Sequence, residues 1–193
     1  MGANTDHLFG YRGDRKKTVG RRFEDILLQN DGSTTKMLEL IIGGEVTIKV
    51  HDQDWIFRRE LPLDFFFPIE GSGPFIRRVT SLYYQDEVIS SNLVFGNPDA
   101  ISADLQERLI QGTLPIGKLI KEIEYRRDIL FADYQECDQI RSVYPPGLLP
   151  EDGYPIKKYL MIRDGQWWFY IMEVFHMKTI LSHMESDLNK QII

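Results

Sequence analysis

The chain has 193 residues, a net charge of −6, 42% hydrophobic and 27% charged residues, and one cysteine. That length and balance suit one globular domain able to bury its own core. The acidic charge argues against a nucleic-acid-binding protein, whose surface is usually basic, and the lone Cys137 excludes an internal disulfide framework or a cysteine-rich metal site.

A single thiol suits a reducing, cytoplasmic setting. No run approaches the roughly 18 uninterrupted apolar residues of a membrane span. The N-terminus is polar, without the apolar core of a signal peptide, and position 6 is Asp6 rather than the Ser or Thr of a myristoylation signal. No nucleic-acid or membrane partner is expected.

Residues 1–21 are rich in Gly, Arg and Lys and read as a flexible basic arm. Residues 22–176 read as the domain, and 177–193 as a C-terminal amphipathic helix. Phe23, Ile26 and Leu27 have helical spacing and end before Asn30-Asp31-Gly32, a turn signal. A second short helix follows, with Asp31 or Ser33 as N-cap and Gly43-Gly44 as its stop. Residues 45–50 alternate as a half-buried strand. The aromatic, proline-punctuated stretch 55–68 either caps a core or forms a lid.

Residues 75–84 and 87–95 read as a hairpin around Gln85-Asp86, with Arg77 and Val79 on one face and Arg78 on the other. Leu105, Leu109 and Ile110 mark a helix over 101–111 closed by Gly112, and Pro115 starts another. Residues 126–134 form a strand, and 136–155 an irregular, proline-rich connection. Residues 156–163 pair with the following strand across Asp164-Gly165. In the tail, Ile180, Leu181, Met184 and Leu188 share a helical side, which either docks on the domain or binds a partner. Hairpin-joined strands with helices between them imply an α+β domain built on an antiparallel sheet.

The most informative stretch is 166–176. Strand alternation puts Trp167, Phe169, Ile171, Glu173 and Phe175 on one side, so a carboxylate stands among large apolar groups. Such a group is either a structural partner of a nearby Arg or Lys or part of a site. Phosphate-binding glycine loops, nucleophile elbows and zincin helices are absent, and His176 with His183 makes a poor metal site without a third ligand.

Four pieces in order carry a resemblance. They are residues 31–39 (Asp-Gly-Ser-Thr-Thr-Lys-Met-Leu-Glu), 75–79 (Phe-Ile-Arg-Arg-Val), 112–117 (Gly-Thr-Leu-Pro-Ile-Gly) and 171–175 (Ile-Met-Glu-Val-Phe). Together they resemble the chorismate pyruvate-lyase (4-hydroxybenzoate synthase) family, over roughly residues 23–175. The resemblance implies an antiparallel sheet whose helical flaps enclose a small aromatic acid, a fold also used by the ligand-sensing domains of GntR-type regulators. It implies elimination of pyruvate from chorismate to give 4-hydroxybenzoate, with no metal or organic cofactor. It assigns Arg77 to the ring carboxylate, Glu173 to the 4-hydroxyl, the Ile116 backbone N–H to the carboxylate end, and Thr34 to the pocket wall. Asn92 stands where the family's lyases carry a second arginine, and Arg127, Lys157 or Lys158 are candidates to replace it. That departure keeps a second reading open: a non-catalytic binding domain of the same fold that senses a small aromatic acid.

Overall fold

The computed structural model describes residues 15–62, 65, 68–112, 116–120, 123–135, 138–149 and 153–190. Among these, six ten-residue strands form one antiparallel sheet. They are β1 (Thr47–Ile56), β2 (Phe75–Tyr84), β3 (Glu87–Gly96), β4 (Arg126–Gln135), β5 (Tyr154–Arg163) and β6 (Gln166–Phe175), in the spatial order β1-β2-β3-β6-β5-β4. Two three-stranded meanders therefore meet along β3 and β6, where Asn92 faces Glu173 across the ladder.

The hairpins follow local chemistry. Gln85 and Asp86 both take positive φ between β2 and β3, as do Asp164 and Gly165 between β5 and β6, the backbone hand that matches strand twist in a two-residue turn. β1 runs six residues beyond the expected 45–50 because Asp52 and Asp54 lie on an edge strand, where polar side chains are tolerated, and Asp52 pairs with Arg77.

In β6 the pairing with β5 slips once, between Met161 and Ile162, leaving Trp168 as the extra residue. Asn97 secures this bulge, its N–H donating to the Trp168 carbonyl at 2.8 Å and its amide to the Trp167 carbonyl at 3.0 Å. Trp167 is thereby turned away from Phe169 and Ile171, correcting the uninterrupted alternation expected for this strand. Trp168 joins their cluster instead.

One sheet face is covered by helices α1 (Arg15–Gln29), α2 (Thr34–Ile42), α3 (Ala103–Ile110), α4 (Ile116–Leu119) and α6 (Met177–Lys190). They form two apolar clusters on that face. Leu27, Leu38, Ile42, Leu82, Phe175 and Ile180 build one; Val94, Leu105, Leu109, Ile120, Met161 and Phe169 belong to the other. On the opposite face Val79, Leu93, Tyr170 and Met172 pack beneath Phe65, Ile69 and the segment around α5 (Asp138–Arg141), including Val143 and Tyr144. Phe65 thus caps this second core; Phe66 and Phe67 lie outside the described residues.

α1 begins at Arg15, inside the stretch expected to be an arm, while residues 1–14 lie outside the described residues. In α6 the expected apolar side docks: Ile180 is fully buried and Leu181 and Met184 pack against its cluster, so these three are not free for a partner. The side chain of Leu188 lies outside the described residues. Among the described residues no helix is long and apolar enough to cross a membrane.

Candidate active site

Between the two apolar clusters of the helical face lies a small cavity, partly open to solvent. Strand parity decides what lines it. Thr80 pairs with Asn92 and Asn92 with Glu173, so these three share a face, and Arg78, two residues before Thr80, shares it too. All four line the cavity, with Leu82, Val94 and Ile171 between them. β4 and β5 add Arg127, Tyr159 and Met161, while Ser33, Thr34 and Thr35 of the α2 start and Ile116 and Gly117 of α4 form the roof.

Glu173, 7% exposed, is answered by Lys157, its neighbour across the β5–β6 ladder. The fully buried ammonium sits 3.3 Å from the carboxylate and also donates to the carbonyls of Leu27 and Asn30, which close α1. The Thr34 hydroxyl donates to Glu173 at 2.8 Å and accepts from Lys157 at 3.3 Å. Tyr159 donates to the other carboxylate oxygen at 3.3 Å. Burial and the Glu173 carboxylate push the Tyr159 hydroxyl well above its ordinary range, so it remains a donor. The carboxylate is thus half of a buried ion pair and also lines the cavity.

Thr34 owes its position to an N-cap. Ser33 accepts from the Lys36 N–H, and α2 ends at Gly43 in the left-handed conformation. Asn92 presents its amide at the cavity wall with its carbonyl oxygen accepting from Ser90. Ile116 opens α4, a helix of only four residues.

Arg77 is elsewhere. It lies on the other sheet face, bound to the Asp52 carboxylate and to the Val143 carbonyl at 2.9 Å. Its neighbour Arg78, 1% exposed, lines the cavity, and its guanidinium donates to the Gly112 carbonyl at 3.2 Å. Burial pushes Arg78 down to about 10, which leaves it a cation at neutral pH. The sequence did not single out Arg78 because both faces of β2 are buried, so hydropathy could not say which face carries the cavity. The cross-strand parity of Glu173, Asn92 and Thr80 was the missing signal.

Of the other cations, Arg127 lines the cavity and Lys157 supports Glu173, whereas Lys158 lies on the opposite face over the Phe131 ring. Tyr159, Met161 and Thr80 were not anticipated. His176 and His183 each have another neighbour rather than meeting as a metal pair: His176 bonds Ser91 at 3.0 Å, and His183 Nε2 lies 2.9 Å from the Glu87 carboxylate. Among the described residues no group of three His, Cys, Asp or Glu side chains is placed to hold a metal ion, and Cys137 lies outside them.

A buried arginine and a buried carboxylate thus line one cavity of an α+β domain, beneath the starts of two helices. The chain belongs to the Rv2949c-like chorismate pyruvate-lyase family, whose family model matches residues 28–183. It is also 22% identical over 191 residues to the DNA mismatch repair protein MutL of Thermosipho melanesiensis, covering 92% of this chain but 33% of that protein. Among solved structures it resembles YydK of Bacillus subtilis, described as a possible transcriptional regulator. That likeness has a TM-score of 0.45 and 11% identity over 69% of this chain and 59% of the other. It also resembles the ligand-binding domain of a protein described as a GntR-family transcriptional regulator from Bordetella bronchiseptica. Here the TM-score is 0.44 with 8% identity over 68% and 84% of the two chains.

Proposed function

We propose that this protein is a chorismate pyruvate-lyase or a close relative acting on a small aromatic or pre-aromatic carboxylate. The observation that carries the reading is the position of Arg78 and Glu173 on one wall of one cavity, within a member of that family. Arg78 supplies a permanent, planar charge suited to the ring carboxylate. Glu173, already oriented by Lys157, Thr34 and Tyr159, accepts a hydrogen bond from the ring hydroxyl. Thr34 and Asn92 add polar contacts at the wall, and Ile116 faces the ligand from the roof.

In the reaction the ether bond between ring and enolpyruvyl oxygen breaks, and the hydrogen lost from the neighbouring ring carbon ends on the departing fragment, which becomes pyruvate. The ring becomes aromatic, so the protein's task is to hold a reactive conformer away from water. No oxidant, reductant or added water enters that balance.

Asn92 favours a second reading. An amide donates a hydrogen bond but supplies no charge, and binding without turnover by a sensing domain accommodates that substitution.

The test is to mix the protein with chorismate and follow pyruvate release, with Arg78→Ala and Glu173→Gln as controls. Release abolished by both substitutions supports the lyase. Absence of turnover with thermal stabilisation by 4-hydroxybenzoate supports the sensing domain. Neither response overturns both readings.

A further inference from the structure

We propose that the cavity contains a second anion subsite on β4, centred on Arg127, which takes the second carboxylate of a dicarboxylate ligand. The inference rests on the aromatic-acid reading above and adds what distinguishes one such acid from another.

Three cations stand at or beside the cavity wall, Arg78, Arg127 and Lys157, against one carboxylate, Glu173. Lys157 is committed: its ammonium donates to two main-chain carbonyls and to Thr34 while it pairs with Glu173. Among the described residues Arg127 is in no ion pair with a carboxylate, although the chain as a whole carries a net charge of −6. Burial works against its charge, but the Tyr159 and Tyr125 oxygens and the Glu173 carboxylate outweigh that and hold it firmly protonated.

The guanidinium is already oriented. One terminal nitrogen donates to the Gly32 carbonyl and the other to the Tyr125 hydroxyl at 3.3 Å. Its Cζ lies 4.9 Å from the Tyr159 ring centre and 5.6 Å from that of Tyr125. The remaining nitrogen, Nε, is buried without a hydrogen-bond partner among the described residues. Nε belongs to the side-on edge of an arginine, the edge that takes a carboxylate in two parallel hydrogen bonds. A buried donor left unmet is costly, and a ligand oxygen would relieve it.

Placement sets the spacing. Arg78 is on β2 and Arg127 on β4, four strand steps apart, or about 19 Å between backbones. Two long side chains that line the same cavity close much of that span. Lys158, next to Lys157 on β5, faces away and cannot serve. The bond from Arg127 to Gly32, one residue before the Ser33 cap, also ties this subsite to the start of α2.

Calorimetric titration with a matched pair of probes tests the proposal: 3-methoxybenzoate, and 3-(carboxymethoxy)benzoate, which differs by one carboxylate. The wild-type protein is expected to bind the dicarboxylate about 10- to 100-fold more tightly, the range for a hydrogen bond between charged groups. Arg127→Gln is expected to erase that preference, costing the dicarboxylate far more than the methoxy probe. Arg127→Lys, which keeps the charge and lacks Nε, retains only part of it. Equal weakening of both probes in Arg127→Gln, or an unchanged preference, overturns the subsite while leaving the aromatic-acid reading intact. Failure of the wild-type protein to bind either probe overturns that reading and the subsite with it.

Discussion

At the residue scale, Glu173 shows how one side chain serves stability and chemistry together. Its ion pair with Lys157 is buried on both sides, where charges are costly unless every donor and acceptor is met. Here they are met, by Thr34, Tyr159 and the last carbonyls of α1. Breaking one half leaves the other charge stranded. Lys157→Met is accordingly expected to cost about 3–5 kcal/mol in urea unfolding, and Lys157→Met with Glu173→Gln appreciably less than the sum of the two single changes. A cost below about 1 kcal/mol for the single variant would mean the pair is not the buried anchor described. The carboxylate itself was legible in the sequence, because a Glu in an aromatic strand is conspicuous. Lys157 was not singled out as its partner, since the cross-strand register that joins them is a long-range property.

At the element scale, His176 closes β6 and ties it to its neighbours. Its Nε2 bonds the Ser91 hydroxyl of β3 at 3.0 Å, and that hydroxyl donates to the Leu148 carbonyl in the segment covering the second core. Burial pushes the imidazole down to about 4, below its ordinary 6.5. Between those two values the unfolded chain binds a proton that the folded one refuses. The contribution is therefore complete above pH 6.5 and is lost as pH falls toward 4, amounting to about 1–3 kcal/mol at the acid end. A His176→Gln variant should lose less stability than the wild-type protein between pH 7 and pH 4.5; identical slopes would contradict a buried neutral imidazole.

Element boundaries were read well where turn chemistry is local. The bounds of β2 and the Asp164-Gly165 turn match the expectation, and Ser33 and Gly43 are the α2 caps. The misreadings arose where tertiary contacts prevail. β1 was cut short at its aspartates, and the Trp168 bulge, held by Asn97 just past the end of β3, reversed the expected side of Trp167.

At the scale of the whole molecule, the two halves have the same plan: two helices, then a meander, with the connection inside each meander crossing the far face. The sequence shows no repeat, yet each half sends polar groups to the common cavity. Arg78 and Asn92 come from the first sheet half, and Arg127 and Glu173 from the second. The fold class was legible because hairpins imply an antiparallel sheet. Which arginine faces inward was not, because β2 is buried on both sides and its neighbours decide the parity.

That parity gives the most direct test of the account. Titrating 4-hydroxybenzoate into Arg78→Ala and Arg77→Ala, beside the wild-type protein, separates the two sheet faces. Arg78→Ala should weaken binding about 10-fold or more, the loss of a charged hydrogen bond. Arg77→Ala, which removes the contacts to Asp52 and Val143 on the far face, should lower stability while leaving the affinity of the folded protein largely intact. Loss of binding in Arg77→Ala with binding retained in Arg78→Ala would contradict the assignment of the cavity to the helical face.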